Sequence, residues 1–254
     1  MKIYIQPLNR KDAHYIPRLI ESGINKDILV LTIYHSKGYV EYLKTLLSIP
    51  EENRRIKFYG AFVEGHLVGF SEWRINEDEL FLNNIFVFPE YKGMGIGKLL
   101  LVNHGKNLLD KHGKSIMSLD VFDHNTEALS WYKRLGFVGK YSTDWYTGEQ
   151  PSFAYGKNAY HCYIENYPIA EAEHKLYNFS MLTCSTKEGV YQIGRLKDEF
   201  YRLPNINSLN DNDLLHFLYK SDPQRKLLLL TSEEFSSQSK FTLACKSLRM
   251  IKEF

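Results

Sequence analysis

The spacing of apolar residues along the chain predicts a protein that mixes strands and helices. The segments 57–63 and 67–75 are rich in apolar residues and flank Glu64-Gly65, where a tight turn needs glycine, which is typical of an antiparallel hairpin. The run at 80–88 is almost wholly apolar, as expected for a strand buried on both faces in the middle of a sheet. Further strands are predicted at 3–5, 115–121, 137–146, 159–164, 179–185, 189–196, 227–230 and 241–250, and helices at 9–22, 39–49, 98–111, 126–135 and 211–220.

This pattern favours two domains. The strands and helices up to about residue 166 form one group, and 167–173 is interpreted as a linker ahead of a shorter group. The predicted domains are therefore 1–166 and 167–254. The second would be a small α/β domain, near the size at which an isolated core becomes marginal. No internal repeat is visible in the sequence.

Composition and charge exclude several classes of protein. The 254 residues include 32 Lys and Arg against 30 Asp and Glu, and no basic run is long enough to predict a nucleic-acid arm or a membrane-binding patch. The three cysteines, Cys162, Cys184 and Cys245, have no spacing typical of a disulfide framework or a zinc site. The first residues lack an apolar stretch of signal-peptide length, and no window approaches the ~20 apolar residues that span a bilayer. We therefore expect a cytoplasmic protein that binds no metal, no nucleic acid and no membrane.

The segment 92–98, Lys-Gly-Met-Gly-Ile-Gly-Lys, lies between a predicted strand and a predicted helix. Glycines at alternate positions let such a turn point several backbone N–H groups into one concavity, where the helix dipole adds positive potential. A phosphate is the natural occupant. The P-loop motif fails because Lys92 and Leu99 stand where it needs Gly and Ser or Thr. The dinucleotide-binding motif fails because the glycines form G-x-G-x-G rather than G-x-G-x-x-G.

A second informative segment, 119–137, combines a predicted strand, a helix and a Gly-Phe pair. Both segments, in this order and joined by a helix and a strand, resemble the coenzyme-A signature of the GNAT superfamily of acyl-CoA N-acyltransferases. The matching residues of the second segment are Asn125, Ala128, Tyr132, Gly136 and Phe137. Lys92 stands where the family usually has Gln or Arg, which keeps a positive charge. The resemblance covers roughly residues 1–166.

The resemblance implies a fold and a co-substrate. The family fold is a mixed, mostly antiparallel sheet that splays open beside the glycine turn and is flanked by helices. Acetyl-CoA would place its pantetheine arm along the strand before the turn and its pyrophosphate on the amides of the turn. The residues implied to bind the coenzyme are Ile85, Phe86, Val87, Lys92, Gly93, Met94, Gly95, Ile96, Gly97, Lys98 and Asn125.

The implied reaction is direct attack of an acceptor amine on the thioester. An ammonium acceptor with a pKa of about 8–10 must first lose a proton, and the departing thiolate must be stabilised or protonated. Tyr132 matches the family's tyrosine beside the thioester sulfur. Asp120 stands where many members carry a Glu, whereas Asn83 and Asn84, where others place a catalytic Glu, cannot act as bases. The base is therefore Asp120 or a water relay, unless the acceptor is already neutral at the working pH.

These residues also have structural interpretations. Asn125 is a suitable helix N-cap, Tyr132 has the helical spacing of a half-buried residue, and Asp120 suits the solvated face of a strand. The glycine turn is harder to explain in this way, because three alternating glycines carry an entropic cost that an ordinary connection does not need.

The leading hypothesis is an N-acetyltransferase whose acceptor is a primary amine of a small molecule or of a protein. The alternative is a non-catalytic acyl-CoA-binding sensor or scaffold, which the amides at 83 and 84 favour and Tyr132 argues against. Residues 167–254 would cap the acceptor side or pair two chains as a homodimer, or they would form a degenerate acyltransferase-like half. They have no glycine between a strand and a helix, so we expect no second coenzyme site there.

Overall fold

The computed structural model describes residues 2–152, 161–235 and 240–254, and the chain forms two compact units. The first unit comprises Met1–Leu29, Tyr39–Tyr141 and Leu248–Phe254. The second comprises Val30–Gly38 and Ser142–Ser247. Each unit therefore combines segments that are distant in the sequence.

Strands and helices occur in both units. In chain order the strands are β1 (Ile3–Pro7), β2 (Ile56–Val63), β3 (His66–Ile75), β4 (Leu80–Val87), β5 (Ile116–Phe122), β6 (Val138–Gly148), β7 (Tyr163–Ile164), β8 (Phe179–Ser185), β9 (Val190–Leu196), β10 (Phe200–Leu203), β11 (Lys226–Thr231) and β12 (Phe241–Glu253). The helices are α1 (Ile16–Glu21), α2 (Lys26–Leu29), α3 (Tyr39–Leu47), α4 (Ile96–Lys98), α5 (Gly105–His112), α6 (Thr126–Arg134), α7 (Ile169–Tyr177), α8 (Ile206–Asn210) and α9 (Asn212–Ser221). Short 3-10 turns are formed by Arg10–Asp12, Ile33–His35, Glu51–Asn53 and Pro89–Tyr91, and the π-helical stretch Leu99–His104 joins α4 to α5 without a break.

The sheet of the first unit has the order β1-β2-β3-β4-β5, followed by 248–253 of β12 and 138–141 of β6. Neighbours among β1–β4 are antiparallel, and β5 is parallel to β4. At the turn between β2 and β3, Glu64 and Gly65 have φ angles of 50° and 84°, which is the left-handed backbone that a tight hairpin turn needs. The predicted mixed α/β class with a mostly antiparallel sheet flanked by helices is confirmed.

The core of the first unit lies between this sheet and the helix that follows β4. Trp73 and Met117 from two strands pack in it with Leu109 of α5. A Cβ atom at Gly105 would lie 2.7 Å from Cη2 of Trp73, so the helix can approach the sheet closely here because the residue is glycine. Met250 of β12 is fully buried in the same core.

The sheet of the second unit contains 142–148 of β6, then β11-β10-β9-β8-β7, with 241–247 of β12 on the other side of β6. Neighbours among β7–β10 are antiparallel, and β11 is parallel to β10. This is the same succession of strand directions as in β1–β5. The topology therefore repeats, although the sequence shows no repeat. The core residues of this unit include Leu182, Ile193, Leu203, Leu214 and Leu229.

The interpretation of 167–173 as a linker is wrong, because α7 begins within it. Ala170 in its first turn is fully buried. Arg195 of β9 donates through Nη2 to the carbonyl oxygen of Ala170 at 2.6 Å and through Nη1 to Oε2 of Glu171 at 2.8 Å. Alternating Ala and Glu are good helix formers as well as acceptable linker residues, and the distant arginine is what fixes this turn.

The two units do not coincide with the predicted domains. Residues 142–166 group with the second unit, and 248–254 group with the first. Whether the predicted domains 1–166 and 167–254 fold independently stays a prediction. Of the strand expected at 159–164, Tyr163–Ile164 forms β7, while 159 and 160 lie outside the described residues.

Met250→Ala should destabilise the protein by about 2–5 kcal/mol, because it removes a fully buried side chain from the core of the first unit. Leu243→Ala on the same strand is the matched control, since Leu243 is 42% exposed and should cost much less. The free energy of unfolding of both variants is measured by urea denaturation. Equal losses in the two variants would show that β12 does not complete this core.

Candidate active site

β4 pairs with β5 over only part of its length. Their register joins Leu80–Leu82 to Met117–Leu119, whereas β4 continues to Val87. Within residues 2–152, no register pair with β5 reaches Ile85 or Phe86. An extended ligand can therefore lie beside the last residues of β4, as the family resemblance implies for the pantetheine arm.

A bulge in β4 lies just past the end of this pairing. Glu72 of β3 is opposite Asn84, and the next residue, Trp73, is opposite Leu82, so Asn83 is an extra residue in β4. A bulge bends its strand and increases the local twist. The bulge therefore gives a local reason for β4 to turn away from β5.

The glycine turn follows directly after β4. Gly93 and Gly95 have φ angles of 78° and 80°, and a Cβ atom on either would meet nothing within 4 Å. The left-handed backbone explains the glycines, and the open space beside them is a cradle that a side chain would fill. The N-terminus of a continuous helix from Ile96 to His112 lies next to it, so backbone N–H groups and the helix dipole favour a pyrophosphate. The residues present fit the phosphates of a coenzyme.

The side chains of this turn have different environments. Ile96 is 1% exposed and belongs to the apolar core, so it can offer a ligand only its backbone. Met94 is 46% exposed, and Lys98 is also exposed. A Cβ atom at Gly97 would lie 3.3 Å from Cη2 of Trp131, which is tighter than an ordinary contact. The third glycine is therefore explained by packing against α6, and contact with phosphate is not needed to account for it.

The structure brings the two sequence segments together. Trp131 of α6 lies against Gly97, and Nζ of Lys92 is 3.7 Å from Oε2 of Glu127 at the start of the same helix. Both charged side chains are largely exposed, so this ion pair contributes little stability. The glycine turn and the helix that carries Tyr132 are thus neighbours, as one coenzyme site requires.

Asn125 caps α6. Its Oδ1 accepts a hydrogen bond from the backbone N–H of Ala128 at 3.1 Å. The capping interpretation is confirmed, and a contact with the coenzyme stays a prediction.

Tyr132 packs in the core of the first unit. It is 6% exposed, and its ring centroid lies 5.1 Å from that of Trp131 and 5.8 Å from that of Phe137. Burial raises the pKa of its phenol, because the low-dielectric surroundings disfavour the phenolate. Among the described residues its hydroxyl has no hydrogen-bond partner. Tyr132 is thus a core residue whose neutral hydroxyl can still donate to a ligand.

Asp120 is held by an arginine from the far end of the chain. Nε of Arg249 donates to Oδ1 at 2.5 Å, and Nη2 donates to Oδ2 at 3.0 Å. Burial alone would lower the pKa of Arg249, but the hydrogen bond and charge of Asp120 outweigh it, so the pKa is raised. Both carboxylate oxygens are occupied by a guanidinium that stays charged. The base role of Asp120 therefore stays a prediction that would require this pair to open.

Glu72 is a site residue that the sequence analysis missed. It is 5% exposed, and no other acidic side chain among the described residues of the first unit is buried. Its Oε2 accepts a hydrogen bond from Nδ2 of Asn84 at 2.6 Å, and its Oε1 lies 3.5 Å from Nη2 of Arg74. The available signal was a carboxylate within the largely apolar strand 66–75.

Residues 2–152, 161–235 and 240–254 contain no helix that is long and apolar enough to cross a membrane. No group of three or more His, Cys, Asp or Glu side chains there could hold a metal ion.

Comparison with known sequences supports the resemblance. The sequence model of the Acetyltransferase (GNAT) family matches residues 29–137. The spermine/spermidine N(1)-acetyltransferase of Bacillus subtilis (strain 168) is 30% identical over 108 residues, which are 39% of this chain and 71% of that protein. The probable spermine N(1)-acetyltransferase of Bacillus subtilis subsp. natto matches equally well.

Comparison with solved structures extends the likeness in fold to almost the whole chain. A tandem GNAT protein from the clavulanic acid biosynthesis pathway has a TM-score of 0.65 at 11% identity and covers 99% of this chain and 98% of its own. A GCN5-related N-acetyltransferase from Sphaerobacter thermophilus has a TM-score of 0.63 at 12% identity, with 99% and 95% covered. At these identities the likeness shows the fold alone.

The phenol of Tyr132 should remain protonated well above the ordinary tyrosine pKa of about 10, because burial penalises its charged form. The measurement is the tyrosinate absorbance of the wild type minus that of Tyr132→Phe during an alkaline titration. The same difference in denaturant, where the side chain is hydrated, is the control and should show ionisation near pH ~10. An equal titration in the folded protein would contradict the burial of this hydroxyl.

Proposed function

Because the chain belongs to the GNAT family of acetyltransferases, we propose that its first unit moves an acetyl group from acetyl-CoA to a primary amine in a ternary complex. The protein is an acyl-CoA-dependent N-acyltransferase. The observation that carries the proposal is the divergence of β4 from β5 directly beside the open glycine turn. An extended thioester arm and its pyrophosphate need these two features next to each other.

The bound coenzyme supplies the thioester, and the chain positions it. Backbone N–H groups of 93–98 hold the pyrophosphate, and the edge of β4 at Ile85, Phe86 and Val87 receives the pantetheine arm. Lys92 at the start of the turn and Asn125 at the N-cap of the neighbouring helix α6 complete this set with polar contacts to the coenzyme. These roles are proposals that rest on the geometry of the turn and on the family pattern.

Tyr132 stabilises the sulfur of the coenzyme as it leaves the acetyl group. As the acceptor nitrogen bonds to the carbonyl carbon, the C–S bond breaks and negative charge develops on sulfur. The neutral hydroxyl of Tyr132 donates a hydrogen bond to that sulfur and passes its proton to it as the charge develops, and the proton that the acceptor nitrogen releases restores the hydroxyl. Burial keeps this hydroxyl protonated and able to donate a hydrogen bond, but the raised pKa makes the phenol a weaker acid, so proton transfer has to follow the development of charge on sulfur.

Polyamines are the first acceptors to test, because the Bacillus subtilis relative is named a spermine/spermidine N(1)-acetyltransferase. The broader class includes amino sugars, aminoglycosides and protein amines. A cytoplasmic location and a role of the second unit in capping or in pairing two chains are further parts of this proposal. The second unit is not expected to bind coenzyme, since its strand β10 is followed by Pro204 and Asn205 and not by glycine.

The test combines coenzyme binding with turnover. Acetyl-CoA should raise the melting temperature through linkage to the folded state, while NAD and ATP should do little by comparison. Free coenzyme-A thiol should then be released with at least one amine of a panel of spermidine, spermine, glucosamine, an aminoglycoside and a lysine peptide. Binding without release from any amine would favour the sensor or scaffold alternative, and absence of a thermal shift would overturn the proposal.

Gly95→Leu and Gly65→Leu provide a matched pair for the coenzyme site. Both glycines have φ near 80° and open space around a Cβ atom, so both substitutions carry a similar backbone strain of about 1–2 kcal/mol. Only Gly95→Leu should abolish the shift with acetyl-CoA, because its side chain fills the cradle. Loss of the shift in both variants, or in neither, would contradict the assignment of the turn.

Tyr132→Phe should lower turnover by about a hundredfold or more, because it removes the proton donor and keeps the ring. The thermal shift with acetyl-CoA should change little, since the packing with Trp131 and Phe137 is retained. The measurement is kcat for thiol release with the best amine of the panel. An unchanged kcat would show that Tyr132 contributes only packing and takes no part in the reaction.

A further inference from the structure

The buried carboxylate of Glu72 has few partners for its position. Removing a charged group from water is unfavourable unless nearby charges and hydrogen bonds compensate it. Its close contact is the 2.6 Å hydrogen bond from Asn84, and its ion pair with Arg74 is long, at 3.5 Å, to a side chain that is 45% exposed. Asp120, by contrast, has both oxygens engaged by one guanidinium. Glu72 therefore keeps lone pairs that a positively charged ligand can use.

The position of Glu72 along β4 points to the thioester. The pyrophosphate cradle lies beyond the C-terminal end of β4, so an extended arm running back along 85–87 reaches toward Asn84. With a rise of about 3.3 Å per residue, Asn84 lies only one step past Ile85. Glu72 is the residue opposite Asn84 on the neighbouring strand.

Glu72 and Asn84 share one face of the sheet, and the helix after the glycine turn packs on the other. Side chains of paired residues point to the same face, and Phe86, two residues after Asn84, contacts Gly23 just after α1. Ile85 and Val87 point the other way, toward Ile96 and the rest of its core. Because α1 packs against β3 and β4 on this face, an acceptor has to reach the carboxylate beside α1, on the side of the sheet away from the helix after the glycine turn.

We propose that Glu72 is the catalytic base: it binds the acceptor ammonium and takes the proton that the nitrogen must lose before it attacks the thioester. This rests on the proposed acetyl transfer. The N–H bond of the ammonium breaks and an O–H bond forms on Glu72, which leaves a neutral amine and a neutral carboxylic acid. Asn84 is the positioning residue. Its amide cannot accept this proton, but it orients a carboxylate that β3 supplies.

The test compares two acceptors with different needs for a base. The best primary alkylamine of the panel is an ammonium at neutral pH, whereas the nitrogen of hydroxylamine is already largely neutral there. Glu72→Gln keeps the size and an acceptor for Asn84 but cannot take a proton. Its kcat with the alkylamine should fall by about a hundredfold or more, while its kcat with hydroxylamine should fall by less than about tenfold. A merely structural residue would lower both equally.

Three further variants complete the design. Glu77→Gln removes an exposed carboxylate of the first unit and should leave both rates within about threefold, as expected for a surface charge. Asn84→Ala keeps the carboxylate but removes its orienting amide, so it should give a smaller loss with the same selectivity for the alkylamine. This variant also serves if Glu72→Gln does not fold. Glu72→Asp should recover part of the rate that Glu72→Gln loses.

The outcomes separate this inference from the function on which it rests. A wild type that shows neither an acetyl-CoA thermal shift nor thiol release contradicts the proposed acetyl transfer itself. If the wild type is active and Glu72→Gln, with an intact shift, loses both acceptors equally or neither, the base assignment is wrong. An alkylamine-selective loss in Asp120→Asn and not in Glu72→Gln would also overturn it and move the base to Asp120.

Discussion

The extra residue in β4 is the local feature on which the site depends. Asn83 has no counterpart in β3, so β4 carries a bulge after its first three residues, and its pairing with β5 ends at the same place. Bulges bend their strands, which gives a physical reason for this end. The same bulge aligns Asn84 with Glu72, so one irregularity both opens the edge of β4 and brings an amide to a buried carboxylate. A regular strand would pair further with β5 and would leave no edge for an extended thioester arm.

The second unit has the same succession of strand directions, but its parallel pair β10 and β11 lacks the partial pairing seen between β4 and β5. β10 pairs with β11 along its whole length, from Phe200 to Leu203, so no edge opens between the two parallel strands. The first helix after β10 is α8, and its N-cap Asn205 accepts through Oδ1 a hydrogen bond from the backbone N–H of Ser208 at 2.9 Å. The next helix, α9, has the buried Asp211 as its N-cap, and Oδ2 of Asp211 accepts a hydrogen bond from the hydroxyl of Thr186 at 2.6 Å. A carboxylate at that helix N-terminus already uses the positive end of the dipole and would repel a phosphate. These features support the proposal that the second unit has no coenzyme site.

Local signals in the sequence predicted local structure well. The left-handed turn at Glu64-Gly65 and the cap at Asn125 each depend on neighbouring residues alone. Contacts between distant residues could not be predicted. Asp120 pairs with Arg249, 129 positions away, and the first turn of α7 depends on Arg195.

In the candidate site, too, the feature set by neighbouring residues was predicted and the contact between distant residues was not. The glycine turn was predicted from the sequence because φ above zero favours one residue type. The pairing of Glu72 with Asn84 was not predicted, because it follows from a strand register that includes a bulge. Periodicity alone cannot show such a shift, since one extra residue changes which side chains face each other.

The last residues of β12 belong to the first unit, so the second unit cannot be removed by truncation without also removing a strand of the first. The sheet order places 248–253 next to β5, and this segment supplies Met250 to the core and Arg249 to Asp120. A chain that ends near residue 166 would lose that strand and expose the edge of β5. Loss of activity in such a fragment would therefore report damage to the first unit and would not reveal a capping role of the second. Substitutions on the surface of the second unit, in the full-length chain, are the way to separate these effects.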